Sequence, residues 1–133
     1  MQSPVFALGR ALVAPLFIIA GINKFVNVAG ILGSRGTRNF MELTGGGPAP
    51  VSLGYLIAFV ELAGGLMILF GFKTKAGAIL LLLFTIVATL LAHQFWIDPT
   101  QQSHALKNLA IMGALLMILA GGPGPYSLDN RAA

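Results

Sequence analysis

Seven side chains within or beside apolar runs have the chemistry to handle protons or bind a polar group. Glu61 lies ten residues into the run 51–72, inside the stretch FVELAGG. On a helix rising about 1.5 Å per residue it sits about 15 Å from the helix start, near the midplane if that helix crosses a bilayer. An ionisable group at such depth costs at least about 2.5–3.5 kcal/mol, so it must face protein and serve either as a proton carrier or as half of an ion pair. Arg10, in the run 5–25, is the candidate partner, at an axial gap of about 9 Å by the same rise. A static Arg10–Glu61 pair that fixes helix register and a proton or ligand site both fit the residues. Asn23, Lys24, His93, Lys107 and Asn108 fall at the opposite membrane face from Arg10 and would form a polar mouth above Glu61. Glu61 and His93 are the candidates for proton transfer and hence catalysis. Arg10, Asn23, Lys24, Lys107 and Asn108 are the candidates for binding a cofactor. For His93 the competing role is an interfacial anchor. For Lys24 and Lys107 it is headgroup contact, although together they would attract an anion. His104 is expected in a solvated loop. Two histidines eleven residues apart, with no acid triad nearby, make no metal pattern, so no metal is expected.

Four apolar segments must position these groups, at about 5–25, 51–72, 76–97 and 105–126. Each has the roughly 20 residues a helix needs to cross about 30 Å of hydrocarbon. Pro15 is expected to bend the first helix, and Gly121-Gly122-Pro123 to stop the fourth. The short KTK link makes spans two and three antiparallel neighbours. Gly54, Ala58, Glu61 and Gly65 recur at helical spacing on one stripe, whose small residues let another helix approach. Lys107, Ala110, Ala114, Met117 and Gly121 suggest a similar inward stripe on span four. The 26–50 segment is a long glycine-rich loop, in which TRNFMEL could form a short helix capped by Thr37 and resting on the membrane surface. The fold class is therefore all-α: one domain over residues 1–133, an integral membrane antiparallel four-helix bundle with a long loop between helices 1 and 2. Four spans put both termini on one side, side A, with Lys73 and Lys75. The two lysines of this shortest loop favour a cytoplasmic side A. Side B carries the long loop and the turn near residues 98–103.

Composition supports the membrane class and excludes others. Of 133 residues, 56% are hydrophobic and 9% charged, against about 25% charged in soluble domains. The net charge of +4 comes from basic residues at segment ends rather than on one face, so nucleic acid is not an expected partner. With no cysteine, the chain can supply neither disulfide nor thiolate-bound cluster.

The order of these elements resembles the DoxX family of small prokaryotic membrane proteins over nearly the whole chain. Arg10, then GINKF with Gly21 and Lys24, the Gly-Pro loop, ELAGGLMILFGFKTKAGA with Glu61, HQF at His93 and KNLAIMGALLM at Lys107-Asn108 carry the likeness. It implies a four-helix bundle in the inner (plasma) membrane and association with membrane redox systems, including a subunit of the thiosulfate:quinone oxidoreductase type. A quinone would then be the cofactor, and a second copy of the chain or a peripheral redox protein the partner, beside the lipid bilayer. The alternative is a non-catalytic scaffold or assembly subunit of a larger complex. A lysine in TKA, where the family often has arginine, keeps the charge and gives up a planar bidentate contact.

Overall fold

The computed structural model describes residues 3–132, and these contain helices and no strand. Helix α1 spans Pro4–Val26; Ser3 caps it by accepting the Val5 N–H at 3.1 Å, and it continues unbroken through Pro15. The long loop holds two short helices, α2 (Val28–Leu32) and α3 (Arg35–Leu43). Then come α4 (Val51–Phe70), α5 (Thr74–Ala92), a 3₁₀ turn at Pro99–Gln101, α6 (Gln102–Gly121) and a short α7 (Leu128–Ala132). The four long helices α1, α4, α5 and α6 are each long and apolar enough to cross a membrane.

The ends of the spans differ from their hydropathy. The third ends at Ala92 rather than 97, because His93 leaves helical geometry and the Ile97 and Asp98 N–H groups both turn back onto the Gln94 carbonyl. Phe95, Trp96 and Ile97 are thus an apolar turn. The fourth span begins at Gln102 and stops at Gly121, with Gly122 at φ +75°. The second stops at Phe70: Gly71, at φ +64°, donates to Ile68 O while Phe72 donates to Met67 O, the paired bonds of a Schellman turn. Helix α3 is capped by Ser34 rather than by Thr37. Thr37 is buried one turn inside, its hydroxyl donating to Ile31 O at 2.7 Å.

Close packing centres on α4. One face, with Gly54, Ala58, Glu61 and Gly65, meets α1 and α2; the adjacent face, with Gly64 and Ile68, meets α5. A Cβ at Gly21 would sit 2.7 Å from the Leu62 backbone nitrogen, and one at Gly65 would sit 2.8 Å from Ile18. Those two contacts set the antiparallel register of α1 on α4. The expected inward stripe of span four is a correction. Ala110, Met117 and Gly121 lie on the exposed side of α6, Ala114 is half-buried, and Lys107 is exposed at the rim of the side-B end, while Ala105, Asn108, Leu115 and Ile118 turn inward. Leu115 and Ile118 help fill the core, where small residues would leave voids.

The core occupies the side-A half of the bundle: Ala14 and Phe17 of α1, Ile68 of α4, Ala78 and Leu81 of α5, and Leu115 and Ile118 of α6. Below it, at the membrane edge, α7 docks on the α4–α5 turn. Asp129 accepts the Lys73 N–H at 2.6 Å and both the N–H and hydroxyl of Thr74 at 2.8 Å, and its own N–H donates to Gly71 O. Partial burial pushes the Asp129 carboxyl up, but the donors from Thr74 and Lys73, together with the nearby Arg10 charge, outweigh it and hold the group below the usual carboxylate range. The side-B half is packed differently, and there a cavity remains.

A candidate ligand cavity in the membrane half of side B

The cavity holds about 460 Å³. Leu16, Phe17, Ile57, Phe84 and Ile111 give it an apolar body, and Lys24, Glu61, Thr85, His93, Lys107 and Asn108 are its polar atoms. Ile31, Ser34, Gly36 and Thr37 of the α2–α3 segment close it toward side B. That lid is fixed by sequence-distant bonds. The Asn39 amide donates to Leu91 O at 2.7 Å, and Arg35 pairs with Asp98 at 3.1 Å. The hydroxyl and N–H of Thr100, together with Arg35, hold the Asp98 carboxyl below its ordinary range. Helix α3 therefore covers the end of α5, with Leu43 exposed at its far end, rather than lying only along the membrane surface. Helices α1 and α6 both line the cavity but make little contact with each other, with Phe6 against Gly121 toward side A.

Glu61 is buried, 5% exposed, and its partner is Lys24: the ammonium donates to Oε2. The same ammonium lies 5.9 Å from the centre of the Phe84 ring. The expected Arg10–Glu61 pair does not form. Arg10, 1% exposed, donates from Nη1 to Ile68 O at 2.8 Å and Leu69 O at 3.2 Å, and from Nη2 to Tyr126 O. The last carbonyls of a helix lack intrahelical donors. In hydrocarbon no water replaces them, so the guanidinium is held there, seven residues or about 10 Å along α4 from Glu61. Arg10 therefore stands outside the cavity, and so does the exposed Asn23.

Lys24 is likewise not a headgroup anchor. With Gly21 packed at the level of Ala58–Leu62, the end of α1 lies well inside the first turns of α4, and α2 rather than α1 covers Gly54. Lys24 then falls level with Glu61, beneath the lid.

The remaining polar wall comes from α5 and α6. The Asn108 amide donates to Thr89 Oγ1 at 3.0 Å, the Thr89 hydroxyl to Thr85 O at 2.7 Å and the Thr85 hydroxyl to Leu81 O at 2.7 Å. His93 closes this wall at the mouth, its Nδ1 2.9 Å from Gln101 Oε1. His104 belongs to α6 rather than a loop and stacks on His93, with centroids 5.0 Å apart. Of the seven sequence candidates, the fold thus gathers Lys24, Glu61, His93, Lys107 and Asn108 around one cavity. It adds Thr85 to the lining and sets His104 against His93, outside it. No group of three or more His, Asp or Glu side chains suited to a metal occurs among the described residues.

Residues 5–94 match the DoxX family, the segment that carries Lys24, Glu61 and His93. The chain belongs to the DoxX family. It is 36% identical over 121 residues to inner membrane protein YqjF of Escherichia coli (strain K12), covering 91% of this chain and 86% of that one. It is 31% identical over 135 residues to inner membrane protein YphA of the same organism, covering 96% and 91%. A Surfeit locus protein 4 homolog of Drosophila melanogaster is 26% identical over 131 residues, covering 85% of this chain and 48% of that one. No solved structure matches the chain. In this DoxX protein, GINKF and ELAGG are thus the two halves of one ion pair. KTKAGA begins the helix that Asp129 caps, and HQF is the break at the cavity mouth.

Proposed function

We propose that this chain is a membrane-embedded subunit of a quinone-linked redox system in a prokaryotic inner membrane, and that the side-B cavity receives the quinone. The inner-membrane placement follows the names of the two Escherichia coli relatives. A single observation carries the ligand reading: a chamber with apolar walls is built around a buried carboxylate and its ammonium partner. Sites for apolar small molecules combine such walls with a few placed polar groups. The residues fit the group. Phe17, Phe84 and Ile111 supply faces for an apolar ring, and Lys24 and His93 supply donors for its two carbonyl oxygens. A bound quinone would supply electron and proton acceptance. Glu61 would hold or release a proton at Oε2, Lys24 would orient a carbonyl oxygen, and the lid would keep bulk water out. Electrons would come from a partner protein, of the thiosulfate:quinone oxidoreductase type or a related one.

The test is the content of the protein purified in mild detergent. We expect quinone at near-stoichiometric ratio in the wild type and its loss from Ala88→Trp, which fills the cavity from α5. Quinone at the same trace level in both proteins would overturn the reading. Glu61→Gln is expected to retain the molecule while losing turnover with a reconstituted partner, because the amide keeps the shape and lacks the titratable proton. A second reading, a scaffold for a larger assembly, is favoured by the exposed small-residue side of α6, where Gly113 has open space above it. It predicts that Gly113→Leu impairs co-purification of a partner without altering quinone content.

A further inference from the structure

The charges around the cavity do not balance, and the residue left over faces its mouth. Of the four acidic residues in the chain, three are committed elsewhere. Glu61 is bound by Lys24, Asp98 by Arg35 and Thr100, and Asp129 by the backbone of Lys73 and Thr74. The fourth, Glu42, lines a separate surface hollow with Arg38 at the far side of the lid. Lys107 lines the cavity and, among the described residues, pairs with no carboxylate. Its neighbours there, Asn108 and His93, supply no carboxylate, and the Asn108 amide is spent on Thr89. The lining therefore carries one uncompensated positive charge at the end where a ligand's head would rest, above a body that is apolar.

We infer that the cavity selects a ligand with an apolar body and a single negative charge on its head, and that Lys107 is the residue that reads this charge. The inference rests on the quinone reading only in sharing its cavity. An ammonium at the edge of an apolar chamber donates charge-assisted hydrogen bonds to an anionic oxygen that it cannot match with a neutral carbonyl. Two sources share this chemistry: a quinone bearing an ionised ring hydroxyl, and a free long-chain carboxylic acid.

Both are tested by matched pairs, titrated by calorimetry into the protein in nanodiscs of zwitterionic lipid at low salt. One pair is a 2-hydroxy-3-alkyl-1,4-naphthoquinone against its 2-methyl counterpart with the same tail. The other is oleate against oleyl alcohol. The expected result is that the acidic member of at least one pair binds about tenfold tighter than its neutral partner, the ratio that one charge-assisted hydrogen bond is worth. Lys107→Gln should remove that ratio and leave the neutral member's affinity unchanged, while Lys107→Arg restores it. A preference confined to the quinone pair or to the fatty pair identifies the source. Equal affinities within both pairs in the wild type overturn the charge selection; if the methylnaphthoquinone still binds, the quinone reading survives that failure. A preference that persists in Lys107→Gln overturns the role of Lys107 and reduces that lysine to a headgroup contact. Binding of none of the four overturns both readings, and a Lys107→Gln protein that melts with the wild type excludes misfolding as the cause of lost discrimination.

Discussion

Two carboxylates in this chain have opposite settings, and each predicts a different response. Glu61 is buried against one ammonium, so its stability depends on the pair rather than on the charge alone. Removing one member of a buried pair costs about 3–5 kcal/mol, whereas replacing both is often close to neutral. Lys24→Met is therefore expected to lower stability by about 3–5 kcal/mol, and Lys24→Met with Glu61→Gln to recover most of it. Unfolding in mixed micelles across the four-protein cycle measures this directly. A double variant no more stable than Lys24→Met would mean that the loss does not come from leaving the Glu61 carboxylate unpaired. Asp129 sits outside the spans with its pKa lowered. A carboxylate whose folded pKa is depressed contributes stability that is present above its unfolded pKa, about 3.9, and lost as pH falls through the folded value. Asp129→Asn should cost up to about 1 kcal/mol at neutral pH, less than full loss of a helix cap because the amide keeps one acceptor oxygen. The gap from wild type should close as the solution is acidified below about pH 4. A gap that stays constant down to strongly acid conditions would show that the carboxylate charge contributes nothing to the cap.

Among the elements, register decides what could be read in advance. The four spans, their antiparallel order and the buried stripe through Glu61 were legible, because lipid requires long helices and helical spacing groups Gly54, Ala58 and Gly65 on one face. The partner of Glu61 was not, because hydropathy locates a span without fixing its height. Aligning α1 and α4 flush at side B left Lys24 at the headgroups, when the close contacts at Gly21 and Gly65 carry α4 well past the end of α1. Gly21 was the available signal: it is the one buried glycine of α1, and pairing it with the α4 stripe brings Lys24 level with Glu61. The outward stripe on α6 was misread for a related reason. Small residues at helical spacing suit a close contact, yet the inward face of α6 carries Leu115 and Ile118, which fill the core at an ordinary distance. These assignments separate two glycines. Gly65→Leu places a side chain against Ile18 and Phe17, and should disrupt α1–α4 packing and lower the melting temperature by about 4–12 °C, as overpacking of about 1–3 kcal/mol does in a chain of this size. Gly113→Leu meets nothing within 4 Å and should leave the melting temperature within a few degrees of wild type. Similar losses in both would place α6 the other way round.

At the scale of the whole molecule, the two halves of the bundle do different things. Toward side A the helix ends are capped: Arg10 caps α4, with only its Nε left unpartnered, Asp129 caps α5, and the apolar core lies directly above them. Toward side B a two-helix lid strapped by Arg35 and Asp98 covers the helix ends, and the cavity lies beneath it. This polarity makes orientation a functional matter, because it decides from which compartment a partner or a proton reaches the lid. The lysines of the α4–α5 turn favour side A in the cytoplasm, by the bias that retains basic short loops there. The lid and the polar mouth would then face the periplasm, as would any protein that exchanges electrons there. The chain has no cysteine, so single replacements report this without background. Leu128→Cys, on exposed α7 at side A, and Ser103→Cys, exposed at the start of α6 on side B, leave every basic residue in place. In intact cells, a membrane-impermeant maleimide should label Ser103→Cys and spare Leu128→Cys until the membrane is opened. The reverse pattern would turn the lid to the cytoplasm.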